Sequence, residues 1–245
     1  MKDSIKKERT VSMPSPIRIV AIGDSMTETS GEHCPALTAE LARVFPDTPC
    51  EVINQGVGST RVGHGLWRLT HPYLYQDKEM PALITLNPDI VLLESFAYNN
   101  GSDGTHDECL QHFRDMHEKI VKTLHEHTHA LIVFVVAIAP DLGHFLNPVP
   151  NFVHTPTPIL RRMAEDRILY LEEGIQLAQD LNLPLANVYQ ASLDAEKNGF
   201  PRSTFINPED GIHPGPEGHQ LAARIITATL KQFQMIPLPL NEFKK

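Results

Sequence analysis

Four short stretches of the sequence carry residue types that can do chemistry together. Gly23-Asp24-Ser25 ends an apolar run with a small residue, an acid and a hydroxyl. Asn54-Gln55-Gly56-Val57-Gly58-Ser59-Thr60 is a glycine-rich turn, and Ala97-Tyr98-Asn99-Asn100-Gly101 offers two adjacent amides. Asp210-Gly211-Ile212-His213-Pro214 sets an acid three residues ahead of an imidazole. A serine hydroxyl is a weak nucleophile until a positioned base takes its proton, and imidazole has a suitable pKa. The imidazole in turn needs a carboxylate to fix its tautomer and stabilise its protonated form. One turn can present both Asp210 and His213. A tetrahedral intermediate then needs donors for its oxyanion. The N–H groups of Ser25 and of the 56–59 turn can supply them, with the Asn99 side-chain amide as a third. These groups fit acyl transfer, with Ser25 attacking an acyl carbonyl, His213 as base and Asp210 orienting it. This chemistry requires no metal or organic cofactor.

Each stretch alone has a plainer reading. Gly-Asp-Ser after a strand is common, glycines permit tight turns, and Asn-Asn-Gly is a good turn sequence in its own right. The weight lies in four such stretches falling at the ends of elements that share one rim. Five apolar runs, 17–22, 51–54, 89–96, 130–139 and 185–188, read as strands. Runs of Val, Ile and Leu without alternation suit a parallel sheet covered on both faces. Helical periodicity over 34–45, 109–125, 158–181 and 217–232 falls between and after them. The alternation predicts right-handed βαβ units and a doubly wound α/β sandwich. In such sheets ligands bind beyond the carboxyl ends of the strands, where the four stretches lie. Five prolines between residues 140 and 158 predict a long irregular loop there, and loops of that length often serve binding. Tyr98, Trp67, His144 and this loop are placed as candidate pocket-lining elements.

On these residues the sequence resembles the SGNH hydrolases, the GDSL esterase/lipase superfamily. The family's first block matches Gly23-Asp24-Ser25, its second, an Asn-x-Gly-x-Gly turn, matches 54–60, and its last, Asp-x-x-His-Pro, matches 210–214. The run Gly56-Val57-Gly58-Ser59, His64 and Leu66-Trp67-Arg68-Leu69 further resembles the platelet-activating-factor acetylhydrolase alpha subunits. The resemblance implies a flavodoxin-like three-layer α/β/α fold, here with a five-stranded parallel sheet, and a serine esterase; the short glycine-rich rim suits an open site and a short acyl group. There are two departures. The third block is usually Gly-x-Asn-Asp and here reads Ala97-Tyr98-Asn99-Asn100. An ungapped match puts Ser59 where the family has its oxyanion-hole glycine, whereas a shift of one residue makes Gly58 the donor; the sequence leaves both open.

The bulk numbers fit this reading. A chain of 245 residues with 41% hydrophobic and 21% charged residues has enough length for one core. The expected organisation is a flexible N-terminal tail over 1–15 and a single domain over 16–245. A net charge of −9 argues against a nucleic-acid binder, which needs a concentrated positive surface. No apolar segment reads as a secretory signal or a membrane span. Cys34, Cys50 and Cys109 read as reduced thiols, so the expected location is cytoplasmic. The expected partner is a small-molecule ester; oligomeric state is not readable.

Other classes weigh less. A phosphate or flavin cradle would want more glycines than Gly23–Thr27 provides, and Asp24 would repel the anion. His125-Glu126-His127-Thr128-His129 suggests a metal, but the glutamate is misplaced for a His-Glu-x-x-His site. The α/β-hydrolase elbow Gly-x-Ser-x-Gly does not occur. The remaining alternative is a non-catalytic relative of the same fold that binds carbohydrate or lipid.

Overall fold

The structure, a computed structural model, describes residues 15–100 and 105–237. The expected tail over 1–15, except its last residue, and Gly101 lie outside these residues. The chain enters through β1 (Ile17–Gly23), the short helix α1 (Ser25–Glu28) and α2 (Pro35–Val44). Strand β2 (Cys50–Gly56), helix α3 (Val62–Thr70) and a small hairpin of β3 (Tyr73–Tyr75) and β4 (Lys78–Met80) follow. Next come β5 (Ile90–Glu94), α4 (His106–His127), β6 (Leu131–Val136) and α5 (Thr157–Asp180). The described chain ends through β7 (Leu185–Asn187), α6 (Val188–Lys197) and α7 (Pro216–Gln232).

The five long-range strands form one parallel sheet in the order β2-β1-β5-β6-β7. Helices α2, α6 and α7 pack together on one face, and α3, α4 and α5 on the other. This is the three-layer, flavodoxin-like sandwich expected from the sequence. Ile19, Val20, Ile22, Val91, Leu93, Val133 and Phe134 lose essentially all exposure, each contributing roughly 1.5–3 kcal/mol of burial. Two local devices set helix ends. Thr105 and Glu108 form a reciprocal capping box ahead of α4, and proline occupies the first turn of α2, α5 and α7, where its missing N–H costs nothing.

The sheet also fixes the heights of the loops. Gly23 and Gly56 are register partners at the ends of β1 and β2, so the first two motif stretches leave the sheet side by side. Strand order reverses between β1 and β5, so the turns after these two strands flank the switch point.

Three elements were not expected. Helix α3 contains Gly63 and Gly65, which weaken a helical signal. Gly65 is needed there because a Cβ would stand 2.5 Å from the Phe96 ring. The β3–β4 hairpin is too short to show periodicity. The fifth apolar run splits, with Val188 opening α6 rather than ending a strand. No helix among the described residues is long and apolar enough to cross a membrane.

Beneath the sheet, His117 of α4 is fully buried among the rings of Phe96, Phe113 and Phe134. Burial disfavours the charged ring and lowers its pKa from the ordinary 6.5 to about 4, against the opposing bond to the Phe113 carbonyl. The unfolded chain therefore binds a proton near pH 6.5 and the folded chain near 4. The stability from this group is complete above pH 6.5 and is lost as pH falls toward 4, by about 3 kcal/mol. His117→Leu should remove that part of acid destabilisation. Urea unfolding at neutral pH and near pH 4 checks it, and equal losses in variant and wild type would contradict it.

Candidate active site

Asp24 caps α1. Its Oδ1 accepts the Met26 N–H at 2.8 Å and its carbonyl accepts from Thr27 and Glu28. This turn ends β1 abruptly and sets Ser25 at the first position of the helix, half-buried, with its N–H unpartnered among the described residues. Asp24 itself has no exposed surface. Gly23 before it has no room for a side chain, since a Cβ would lie 2.1 Å from Thr27 Oγ1 and 2.7 Å from Glu94 Cβ.

The glycine-rich turn is tied to α1 from below. Asn54 Nδ2 donates to the carbonyls of Gly31 and Thr27 at 2.8 and 2.9 Å, and its Oδ1 accepts the Gly56 N–H. Gly56 lets β2 press on α1, because a Cβ there would stand 2.3 Å from the Glu28 nitrogen. The structure separates the two candidate donors of this turn. The Gly58 N–H is donated to the Tyr75 hydroxyl at 3.2 Å, and that hydroxyl donates to Glu28 Oε1 at 2.7 Å. The Ser59 N–H has no partner among the described residues. Ser59 also has φ +57°, a left-handed conformation that glycine adopts without strain, which accounts for glycine at the matching family position.

At the opposite side, the turn 205–215 is stapled by the Ile206–Pro214 bridge and by Asn207 N–H to the His213 carbonyl at 2.8 Å. Gly211 has φ +69°, and the His144 carbonyl passes 2.3 Å from where its Cβ would be. Within the turn, Asp210 Oδ1 accepts the N–H groups of Ile212 and His213, and Oδ2 accepts His213 Nδ1 at 2.9 Å and Asn207 Nδ2 at 3.1 Å. Burial pushes the Asp210 carboxyl up, but these donors outweigh it and hold it below its ordinary value. With Nδ1 engaged, Nε2 is the nitrogen His213 has available. His213 lies near enough to Asp24 for its charge to favour the ionised carboxylate. Ser25 Oγ and His213 make no hydrogen bond in this structure; such contacts often tighten only with substrate bound.

Asn99 lies in a short helical turn after β5, and its Nδ2 donates to Asp24 Oδ2 at 2.9 Å, leaving the second amide hydrogen available. A cleft of about 420 Å³ is lined by Ser59, Thr60, His64, Asn99, Asn100 and His112, among others. The expected pocket residues are elsewhere. Tyr98 is buried and donates to the Ile138 carbonyl, bracing the loop after β6. Trp67 stacks between His64 and His71 on the surface of α3, and His144 pairs with Asp141 in the proline-rich loop.

Sequence reasoning passed over two buried charged residues. Arg68 is fully buried, and its guanidinium donates to the carbonyls of Gln55 and Gly23 at 2.6 and 2.9 Å, bolting the ends of β1 and β2 together. Its Nε has no hydrogen-bond partner among the described residues, and burial lowers its pKa, with Tyr73 and Asp24 among the groups opposing that shift. Glu94 ends β5 inside an otherwise apolar run and is buried beside Asp24. An acid within a continuous hydrophobic strand was the available signal.

Comparison with known proteins identifies the family and the fold. The model of the GDSL-like lipase/acylhydrolase family matches residues 21–221. The fold is similar to that of an acetylxylan esterase from Geobacillus stearothermophilus, with a TM-score of 0.61 at 16% identity over 89% of this chain and 95% of that one. It is also similar to a lipase/acylhydrolase from Enterococcus faecalis, with a TM-score of 0.60 at 18% identity over 88% of this chain and 96% of that one. No curated protein sequence matches. With the family match running from the middle of β1 into α7, the chain belongs to the GDSL-like lipase/acylhydrolase family and is a hydrolase acting on ester bonds.

Proposed function

We propose that this hydrolase is a serine esterase working through an acyl-enzyme, with residues 16–245 as its single domain. Ser25 attacks the ester carbonyl. His213 Nε2 takes the Ser25 proton and returns it to the leaving alcohol, while Asp210 holds the ring in the required tautomer. The oxyanion is received by the N–H groups of Ser25 and Ser59 and by the Asn99 amide. Water, activated by the same His213, then releases the acid. The observation that carries the reading is the Asp210–His213 pair, bonded through Nδ1 at 2.9 Å with Nε2 left available, on the rim that also bears Ser25 and Asn99. Ser59 is preferred to Gly58 because the Gly58 N–H is committed to Tyr75.

The substrate we propose is a short-acyl ester of a polar alcohol. The cleft beside Ser59 and Asn99 presents hydroxyls, amides and imidazoles alongside Val62 and Phe113, and those polar groups can receive a hydroxylated alcohol. The similarity to an acetylxylan esterase points the same way.

Ser25→Ala should lower ester turnover by roughly four orders of magnitude or more with the fold intact, because nucleophile and base act as a unit. Initial rates on chromogenic acetate esters, beside circular dichroism, measure this. Turnover close to wild type would sink the assignment. In a chain-length series, kcat/KM should be highest for acetyl to butyryl esters and fall for octanoyl and palmitoyl esters. A rise with chain length would contradict the short-acyl reading.

A further inference from the structure

The turn after β1 carries Asp24 and Ser25, and the turn after β5 carries Asn99. One side chain reaches both. Glu94 Oε2 accepts the Asp24 N–H at 3.2 Å, and Glu94 Oε1 accepts the Phe96 N–H at 2.9 Å and the Ser95 hydroxyl at 2.9 Å. Phe96 has φ +51°, which is strained for a bulky residue, and the Asn99 N–H closes the next turn onto the Phe96 carbonyl. Gly23 is bare of a side chain partly because Glu94 Oε2 lies 2.8 Å from where its Cβ would be. The strand end is thus shaped around this carboxyl.

We infer that Glu94 is a positioning residue, which locks the Ser25 turn to the Asn99 turn and keeps Asp24 aimed at the Asn99 amide. The inference rests on the esterase reading above, in which Asn99 and the Ser25 N–H receive the oxyanion.

The chemistry of the pair specifies how Glu94 does this. Glu94 and Asp24 are both buried against one another, and two adjacent carboxylates without water repel strongly. Burial, and then the Asp24 charge, push the Glu94 carboxyl well above its ordinary value. Burial also raises Asp24, but donors from Met26, Asn99 and Glu94 oppose that. The pair therefore shares a proton, and Glu94, whose carboxyl is raised further, is the side chain inferred to carry it. Asp24 in turn accepts from Asn99 Nδ2 and directs the other amide hydrogen outward. The other charged or titratable groups acting on the pair are Arg68 of α3, His213 and Tyr98. Arg68 lies near enough for the Asp24 charge to act on it.

The test compares Glu94→Gln with Glu94→Leu. The glutamine oxygen keeps the Phe96 and Ser95 bonds, but its NH2 cannot accept the Asp24 N–H, so its kcat should fall by about tenfold or less, the size of one neutral hydrogen bond. The leucine variant should lose about 10²–10³-fold in kcat, the size expected when an oxyanion donor is misaligned, with KM changed by less than about threefold. Glutamine falling as far as leucine, leucine retaining wild-type kcat, or a loss confined to KM would each overturn the inference. A second readout needs no variant that folds and no activity. Infrared difference spectroscopy of wild-type enzyme carrying carbonyl-labelled glutamate should show the stretch of a protonated carboxyl at neutral pH. Its absence would overturn the inference even if Ser25→Ala behaves as an esterase nucleophile should. If instead Ser25→Ala stays active while the band is present, the esterase reading fails and the neutral Glu94 stands.

Discussion

A carboxylate with no exposed surface stands immediately ahead of the proposed nucleophile, and much of the site is built around satisfying it. Stripping Asp24 of water costs several kcal/mol unless its oxygens are fully bonded and its charge is balanced. The Met26 N–H and the Asn99 amide meet the oxygens, Glu94 Oε2 accepts the Asp24 N–H, and the buried Arg68 lies near enough for the Asp24 charge to act on it. These partners come from α1, the turn after β5, β5 itself and α3. Satisfying Asp24 therefore assembles the ends of β1, β2 and β5 in one arrangement. The contacts that satisfy this buried acid are thus also those that position the proposed site.

The parallel sheet makes this economical. Register pairs Gly23 with Gly56, so the Ser25 turn and the glycine-rich turn start level, and Arg68 ties their carbonyls from beneath. The Tyr75 hydroxyl, held by Glu28, takes up the Gly58 N–H, while that of Ser59, a residue lining the cleft, has no partner among the described residues. The left-handed conformation of Ser59 then carries a small strain, offset by the bonds around it. The Asp210–His213 turn reaches the same rim from the far end of the chain, closed on itself by Asn207 and the Ile206–Pro214 bridge. Its internal bonds orient the imidazole without help from another element.

The parts legible in the sequence were those with a local signature. Continuous Val, Ile and Leu runs marked the strands because both faces are covered, and the reactive residues followed strand ends. Asp210 and His213 were readable as a pair because three residues separate them. What escaped were relations between distant segments. Nothing local in the sequence marks Arg68 as buried, since its burial follows from the carbonyls of Gly23 and Gln55, which periodicity does not report. Helix α3 was hidden by glycines whose reason is contact with Phe96. Tyr98 read as a pocket aromatic, yet its hydroxyl spans to Ile138 and closes the core. The observation that favours Ser59 over Gly58 in the proposal is a tyrosine in a three-residue strand that carries no pattern of its own.

The account stands on Ser25 being the group that becomes acylated. Treatment with a serine-directed fluorophosphonate, followed by peptide mass spectrometry, tests that directly. The account predicts one equivalent of adduct on the peptide bearing Ser25, and slower labelling when a competing acetate ester is present. Adduct on another serine, or none in folded and active protein, would contradict it.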